Sequence, residues 1–216
     1  MLMKYKIIIA ALVLCFIVEQ GEAQLIRRYG VKGGVSQARQ AWNYTGLLAG
    51  TKIFDLPRIG LDVGGYVEWF NIPVLSVLTE IHYVQKGAED EFEVTTIDNP
   101  EGTGAVKAYT PRIDYLSIPV LAKIRFDFPA VAIYAIGGPR IDLLIGRNEY
   151  ATGPVFNNLK SREFGLTAGG GIELALIPVY SLGFEIRYSY SSQYAYSNPN
   201  VTVRNESTEF LLTIGF

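Results

Sequence analysis

Eight stretches of this chain alternate between apolar and polar residues with a period of two, and each reads as having one face free of charge. Successive side chains of an extended backbone point to opposite faces, so this is the period of a strand. In "SLGFEIRYSYSSQY", Ser181 to Tyr194, the residues Leu182, Phe184, Ile186, Tyr188 and Tyr190 oppose Gly183, Glu185, Arg187 and Ser189. The others run over Arg28–Gln37, Arg58–Phe70, Val74–Gly87, Arg112–Phe126, Ala130–Ile145, Glu163–Leu176 and Glu206–Phe216. Each is about long enough to cross a bilayer as a tilted strand of ~9–11 residues. Runs with helical period are hard to find after residue 24, so the fold class is all-β.

The connections alternate in length. Between strands two and three, four and five, and six and seven they are tight and carry proline ("FNIPV", "FDFPA", "LIPVY"). The remaining ones are long and polar, as in Ala88–Thr110. Short turns at one end and long loops at the other is the asymmetry of an up-and-down transmembrane barrel.

Period two alone does not say whether the apolar face looks inward, as in a soluble carrier, or outward to lipid. Four features favour lipid. The uncharged parity carries aromatics toward both strand ends: Trp69, Phe70, Phe126, Phe128 and Tyr180 at the short turns, and Tyr83, Tyr188 and Tyr190 toward the long loops. Such rings suit the two lipid interfaces. Phe216 ends the last apolar parity, as in the assembly signal that barrel-assembly machinery reads. Glycines 34, 64, 138, 169 and 171 dot the charged parity, where a narrow eight-stranded lumen needs room for larger side chains. That parity also mixes acids and bases, which can neutralise one another when buried. The expected interior network is Asp62, Glu68, Glu80, His82, Lys123, Arg125, Arg140, Glu173, Glu185, Arg187 and Glu209. Pro119 and Pro139 fall inside strands and each lacks a ladder N–H, so a bulge is expected at each.

The first segment has Lys4 and Lys6 before an apolar run from Ile7 to Val18, then Gly21 and Ala23. This reads as a secretory signal peptide over residues 1–23, leaving 24–216 as one barrel domain exported to the outer membrane of a Gram-negative cell. Cys15, the single cysteine, lies in that run and is preceded by Val13 and Leu14 rather than the small residues of a lipidation signal. The mature chain then has no disulfide and no thiolate metal site. A formal charge of −2 offers no basic surface for nucleic acid, and nothing calls for a cofactor.

The stretches "GVKGGVS", "TEIHYVQKG", "YLSIPVLAKIRF", "FGLTAGGGIEL" and "LGFEIRYSYS" resemble the PorT-like, porin-family small outer-membrane barrels of Bacteroidota. The resemblance rests most on Tyr115–Pro119 and Tyr83–Gly87. It implies an eight-stranded barrel in the outer membrane, and it implies no single activity, since some members assist protein secretion. The partners to expect are outer-membrane lipid and, through the long loops, an envelope or extracellular protein. The roles to weigh are structural, adhesive or envelope-assembly work against two alternatives: a small porin, and a lipid-modifying enzyme with His82 as general base. His82 is the only histidine, and it also reads as a lumen residue bonded to a carboxylate. The glycine pairs and "AEDEFE" read as strand interiors and a solvated loop, and Asn148, Asn157, Asn158 and "YAYSNPN" as exposed loop surface.

Overall fold

A sheet with a lipid-facing side has no tolerance for a free edge, and this one closes on itself. A computed structural model describes residues 25–216 apart from 51–52, 71, 98–99, 101, 103 and 178–179; the signal-peptide reading falls outside the described residues. In chain order the strands are β1 (Ile26–Tyr44), β2 (Arg58–Trp69), β3 (Leu75–Gly87), β4 (Asp90–Glu93), β5 (Val106–Tyr109), β6 (Arg112–Asp127), β7 (Val131–Arg147), β8 (Arg162–Ile177), β9 (Tyr180–Ser191), β10 (Tyr196–Ser197) and β11 (Val201–Gly215). Antiparallel neighbours run β1-β2-β3-β6-β7-β8-β9-β11, and β11 returns to β1 from Gly30↔Gly215 to Tyr44↔Val201. The result is a closed eight-stranded barrel. β4 and β5 form a separate hairpin in the loop after β3, and a short helix, α1 (Pro154–Asn157), lies in the loop after β7.

One column of the outer surface shows why this sequence suits a membrane. Across β1, β11 and β9 the rows of outward side chains, rising from the short turns, begin with Tyr29, Phe216 and Tyr180, whose rings touch at 5.9 and 5.6 Å. Above them come Val31–Ile214–Leu182, Gly33–Leu212–Phe184 and Val35–Phe210–Ile186, then Gln37–Thr208–Tyr188 and Arg39–Glu206–Tyr190. At ~3.3 Å per residue and a tilt of ~40°, the apolar rows from Tyr29 to Val35 climb roughly 15 Å, and the tyrosine-bearing rows above them bring the column to roughly 25 Å at Arg39, against the ~25 Å of an outer-membrane apolar band with its aromatic girdles. Trp69 also lies on the outside, its Nε1 donating to Thr79 Oγ1 at 2.8 Å.

Three expectations need correction. No bulge forms at Pro119 or Pro139. The β3–β6 ladder breaks between Thr79↔Val120 and His82↔Ser117, and the β6–β7 ladder between Pro119↔Arg140 and Ala122↔Gly137, each resuming in the same register. A missing N–H removes a bond; a bulge needs an extra residue, and the β6–β7 register shift comes instead between Asp114 and Tyr115. Second, β1 and β11 extend well beyond their apolar stretches, to Tyr44 and from Val201, while β9 stops at Ser191. Third, the outward faces of β1 and β11 are not free of charge, because above the apolar band they carry Arg39, Arg204 and Glu206.

The inward glycines make room for specific neighbours. A Cβ on Gly64 would come within 2.6 Å of His82 Cγ and 2.3 Å of the Ile81 carbonyl oxygen; on Gly171 it would meet the Tyr134 hydroxyl at 2.5 Å. A Gly64→Val substitution is therefore expected to cost about 1–3 kcal/mol through overpacking. The measurement is the temperature at which the folded band is lost on unboiled denaturing gels; an unchanged temperature would mean that the lumen has slack there.

Candidate functional site: the lumen and its outer mouth

A lumen this narrow and lined by ions is tolerable only if each charge is met by an opposite one or by hydrogen-bond donors. The charges form three layers. Nearest the short turns, Lys123 Nζ donates to Glu68 (3.1 Å) and Glu173 (2.7 Å), and Arg28 reaches the same Glu173 at 2.7 Å. Arg125 also donates to Glu173 and lies 2.6 Å from Asp127 at the rim.

The middle layer is organised by Arg187 on β9. It donates to Glu209 (2.5 Å), Glu80 (2.7 Å) and Asp62 (3.3 Å), with Glu185 at 3.6 Å. Lys32 on β1 bridges Glu80 (2.7 Å) and Glu185 (2.8 Å). His82, wholly buried, faces the axis within this layer. Its Nδ1 is 2.6 Å from Asp62, and its Nε2 lies 3.2 Å from Glu80 without making a hydrogen bond.

The upper layer joins Lys86 to Asp142 at 2.7 Å, with Arg140 3.2 Å from the same carboxylate. Beside it, Glu163 accepts from Tyr115 (2.5 Å), Asn205 (2.8 Å) and Ser191 (3.0 Å). Each lumen lysine also lies against a tyrosine ring: Lys32 over Tyr66, Lys123 over Tyr134 and Lys86 over Tyr115, at 5.3, 4.3 and 5.4 Å from the ring centres. Cation–π attraction supplements the ionic bonds where water is excluded.

Above the ions the outer mouth is closed by apolar packing. Ile113, Tyr115, Ala151 and Phe156 form a buried cluster with Trp42, Phe54, Leu144 and Leu159 against it. Phe54 from the first long loop lies 5.0 Å from Trp42 and 5.8 Å from both Phe156 and Tyr109. The long loops thus fold inward to make a lid with its own core. Asn148 is one of its clasps rather than open loop surface: it accepts from Arg112 N at 2.9 Å and donates to Thr110 O at 3.0 Å. Asn157 and Asn158 are exposed.

The structure thus gathers all of the inward-reading acids and bases into one lumen, Arg140 and the rest alike. Tyr83, Tyr188, Phe126, Phe70 and Tyr190 lie on the outside, Phe70 just past β2 with φ 64°. The interior network expected from the sequence left out Arg28, Lys32, Lys86, Asp142, Glu163 and the three tyrosines. Their signal was available: Lys32 shares parity with Gly34, and Tyr66 and Tyr134 share parity with Asp62 and Arg140. Among the described residues no cluster of His, Cys, Asp and Glu is arranged to hold a metal ion.

The family model for the outer membrane protein beta-barrel domain matches residues 20–191. The chain belongs to that family. It is an outer-membrane β-barrel protein, and the match covers all of its barrel strands except β11. No curated protein matches the sequence. Among solved structures, it is similar to outer membrane protein OprG from Pseudomonas aeruginosa at 10% identity, covering 87% of this chain and 94% of that one with a TM-score of 0.49. Neisserial surface protein A gives 13% identity, 87% and 97% coverage and a TM-score of 0.47. The attachment invasion locus protein Ail of Yersinia pestis gives 15% identity, the same 87% and 97% coverage and a TM-score of 0.40.

The tightness of this outer-membrane barrel can be put in volume. Between Lys32, Tyr66, Lys123, Tyr134, Glu173 and Glu185 the lumen encloses a void of only about 10 Å³. That is at the lower limit of what one water molecule needs.

Proposed function

We propose that the protein is a sealed barrel that anchors a folded, loop-built lid at the cell surface, serving adhesion or docking to a larger envelope assembly rather than passage of solutes. The observation that carries this reading is the double closure of the lumen: three layers of paired ions within the membrane band, and an aromatic lid above them. A small porin would need a continuous wet path, and Arg187, Lys32 and Lys123 each bridge carboxylates from opposite walls across the axis. A lipid-modifying enzyme would need its general base within reach of the bilayer, and His82 points to the axis with no exposed surface. The resemblance of the Tyr115–Pro119 and Tyr83–Gly87 motifs to PorT-like barrels of Bacteroidota fits a secretion-associated docking role for the lid. The last strand, ending its outward column on Phe216, is the segment we assign to the barrel-assembly machinery.

Single-channel recording in planar bilayers tests the sealed lumen. The expected result is a silent membrane, with at most rare, brief openings; steady conductance in the nanosiemens range would overturn it. Whole cells displaying the protein supply the second arm: deleting the lid hairpin, residues 90–109, should remove surface binding while leaving barrel assembly intact.

A further inference from the structure

Just above the apolar band, two opposite charges stand directly across from one another in the sheet and do not pair. Arg39 on β1 is registered against Glu206 on β11, and both side chains point outward. Arg39 instead turns to Asp55 in the first long loop, at 2.5 Å, and Glu206 accepts from the Tyr188 hydroxyl at 3.1 Å. A pocket of about 220 Å³ opens between them on the outside of the barrel, walled by Gln37, Arg39, Pro57, Tyr188, Glu206 and Thr208. At about 30 Å³ per water, that is room for roughly seven waters, or for one sugar ring.

We propose that this pocket binds the saccharide head group of an outer-leaflet glycolipid. Three features select that chemistry. The lining offers a guanidinium, an amide, a hydroxyl and a carboxylate around one aromatic face, a set suited to the many donors and acceptors of a sugar whose C–H face stacks on the Tyr188 ring. The charges inside the pocket cancel, and an anionic ligand would meet the Glu206 carboxylate, so a neutral polyol fits better than a bare phosphate. The position fixes the source: the row immediately below is Val35–Phe210–Ile186, the top of the apolar band, so a sugar in the pocket can keep its acyl chains against that column. Just above the pocket the Arg204 guanidinium packs over the rings of Tyr190 and Tyr194, 5.0 and 4.6 Å from their centres. The inference goes beyond the sealed-anchor reading and shares with it only the outward placement of the long loops.

The test uses the full barrel in dodecyl dimethylamine oxide micelles, with the backbone amides of Gln37, Arg39 and Thr208 followed by NMR. Dodecyl maltoside supplies a sugar head on the same tail length, and free maltose supplies the sugar alone. Saturable shifts are expected with dodecyl maltoside, at a concentration at least tenfold below that at which maltose acts. Tyr188→Leu and Glu206→Gln should each weaken the response about tenfold, the loss typical of one charge-assisted or stacking contact. Both variants should keep heat-modifiable migration, which shows that they fold. Equal potency of maltose would assign the pocket to a free saccharide and overturn the glycolipid. Absence of saturable shifts, or shifts unaltered in both folded variants, would overturn the site itself. Conductance is a separate readout, so failure here leaves the sealed lumen standing.

Discussion

An Arg187→Leu barrel should lose about 3–5 kcal/mol of stability, the cost of leaving buried charges without their partner. Arg187 is the shared cation of the middle layer, and Glu209, Glu80 and Asp62 all accept from it. Leucine fills part of the space but leaves Lys32 to serve both Glu80 and Glu185 while Glu209 keeps only the hydroxyls of Ser189 and Ser207. Deleting an acid instead should cost less: Glu209→Gln removes one charge and retains an acceptor for Arg187, which still has Glu80 and Asp62. The decisive comparison is Arg187→Leu alone against Arg187→Leu with Glu80→Gln and Glu209→Gln. If uncompensated charge is the cause, the triple variant should be more stable than the single one, although more native contacts have been removed. Urea unfolding in lipid vesicles, followed by the fluorescence of Trp42 and Trp69, would give the midpoints. A single variant within about 1 kcal/mol of the parent would show that water reaches the layer and screens it.

How much of this was legible in the sequence depends on whether a residue's neighbours share its periodicity. The outward columns were, because Leu182, Phe184 and Ile186 repeat every second position and any slip would put Glu185 and Arg187 in lipid. The inward glycines were legible for the same reason. The upper halves of β1 and β11 were not: above Gln37 and below Phe210 in sequence both faces turn polar, so contrast between parities vanishes although the ladder continues to Tyr44↔Val201. The lid was invisible because its core is assembled from single aromatic residues far apart in the chain, Trp42, Phe54, Tyr109 and Phe156, none of which stands in a periodic run. Which acid meets which base was also beyond reach, since Lys32 and Glu185 lie on strands separated by β11 and join only when the barrel closes. The glycolipid pocket needs still more: register, to place Arg39 against Glu206, and the loop that carries Asp55 to draw the arginine away.

The second large effect discriminates lipid from water outside the barrel by its sign. Leu212 is 59% exposed and sits midway up the outer column, between Gly33 and Phe184. In water, an exposed leucine on a strand could become arginine at little cost, because the hydration of the guanidinium replaces an unfavourable apolar surface. In a bilayer, the same substitution puts a cation near the midplane and should cost about 2–4 kcal/mol. Ile59, 62% exposed and paired with Gln37 at the level where the column turns polar, provides the depth control. Ile59→Arg should cost only about 0–1 kcal/mol, because its side chain can reach the interface. Both residues are about equally exposed and both substitutions are aliphatic to arginine, so exposure and side-chain chemistry cannot account for a difference between them. Depth can. Refolding into phosphatidylcholine vesicles, with unfolding midpoints in urea, measures each cost; equal midpoints for the two variants would remove the apolar band from the outer face and with it the placement of every loop above.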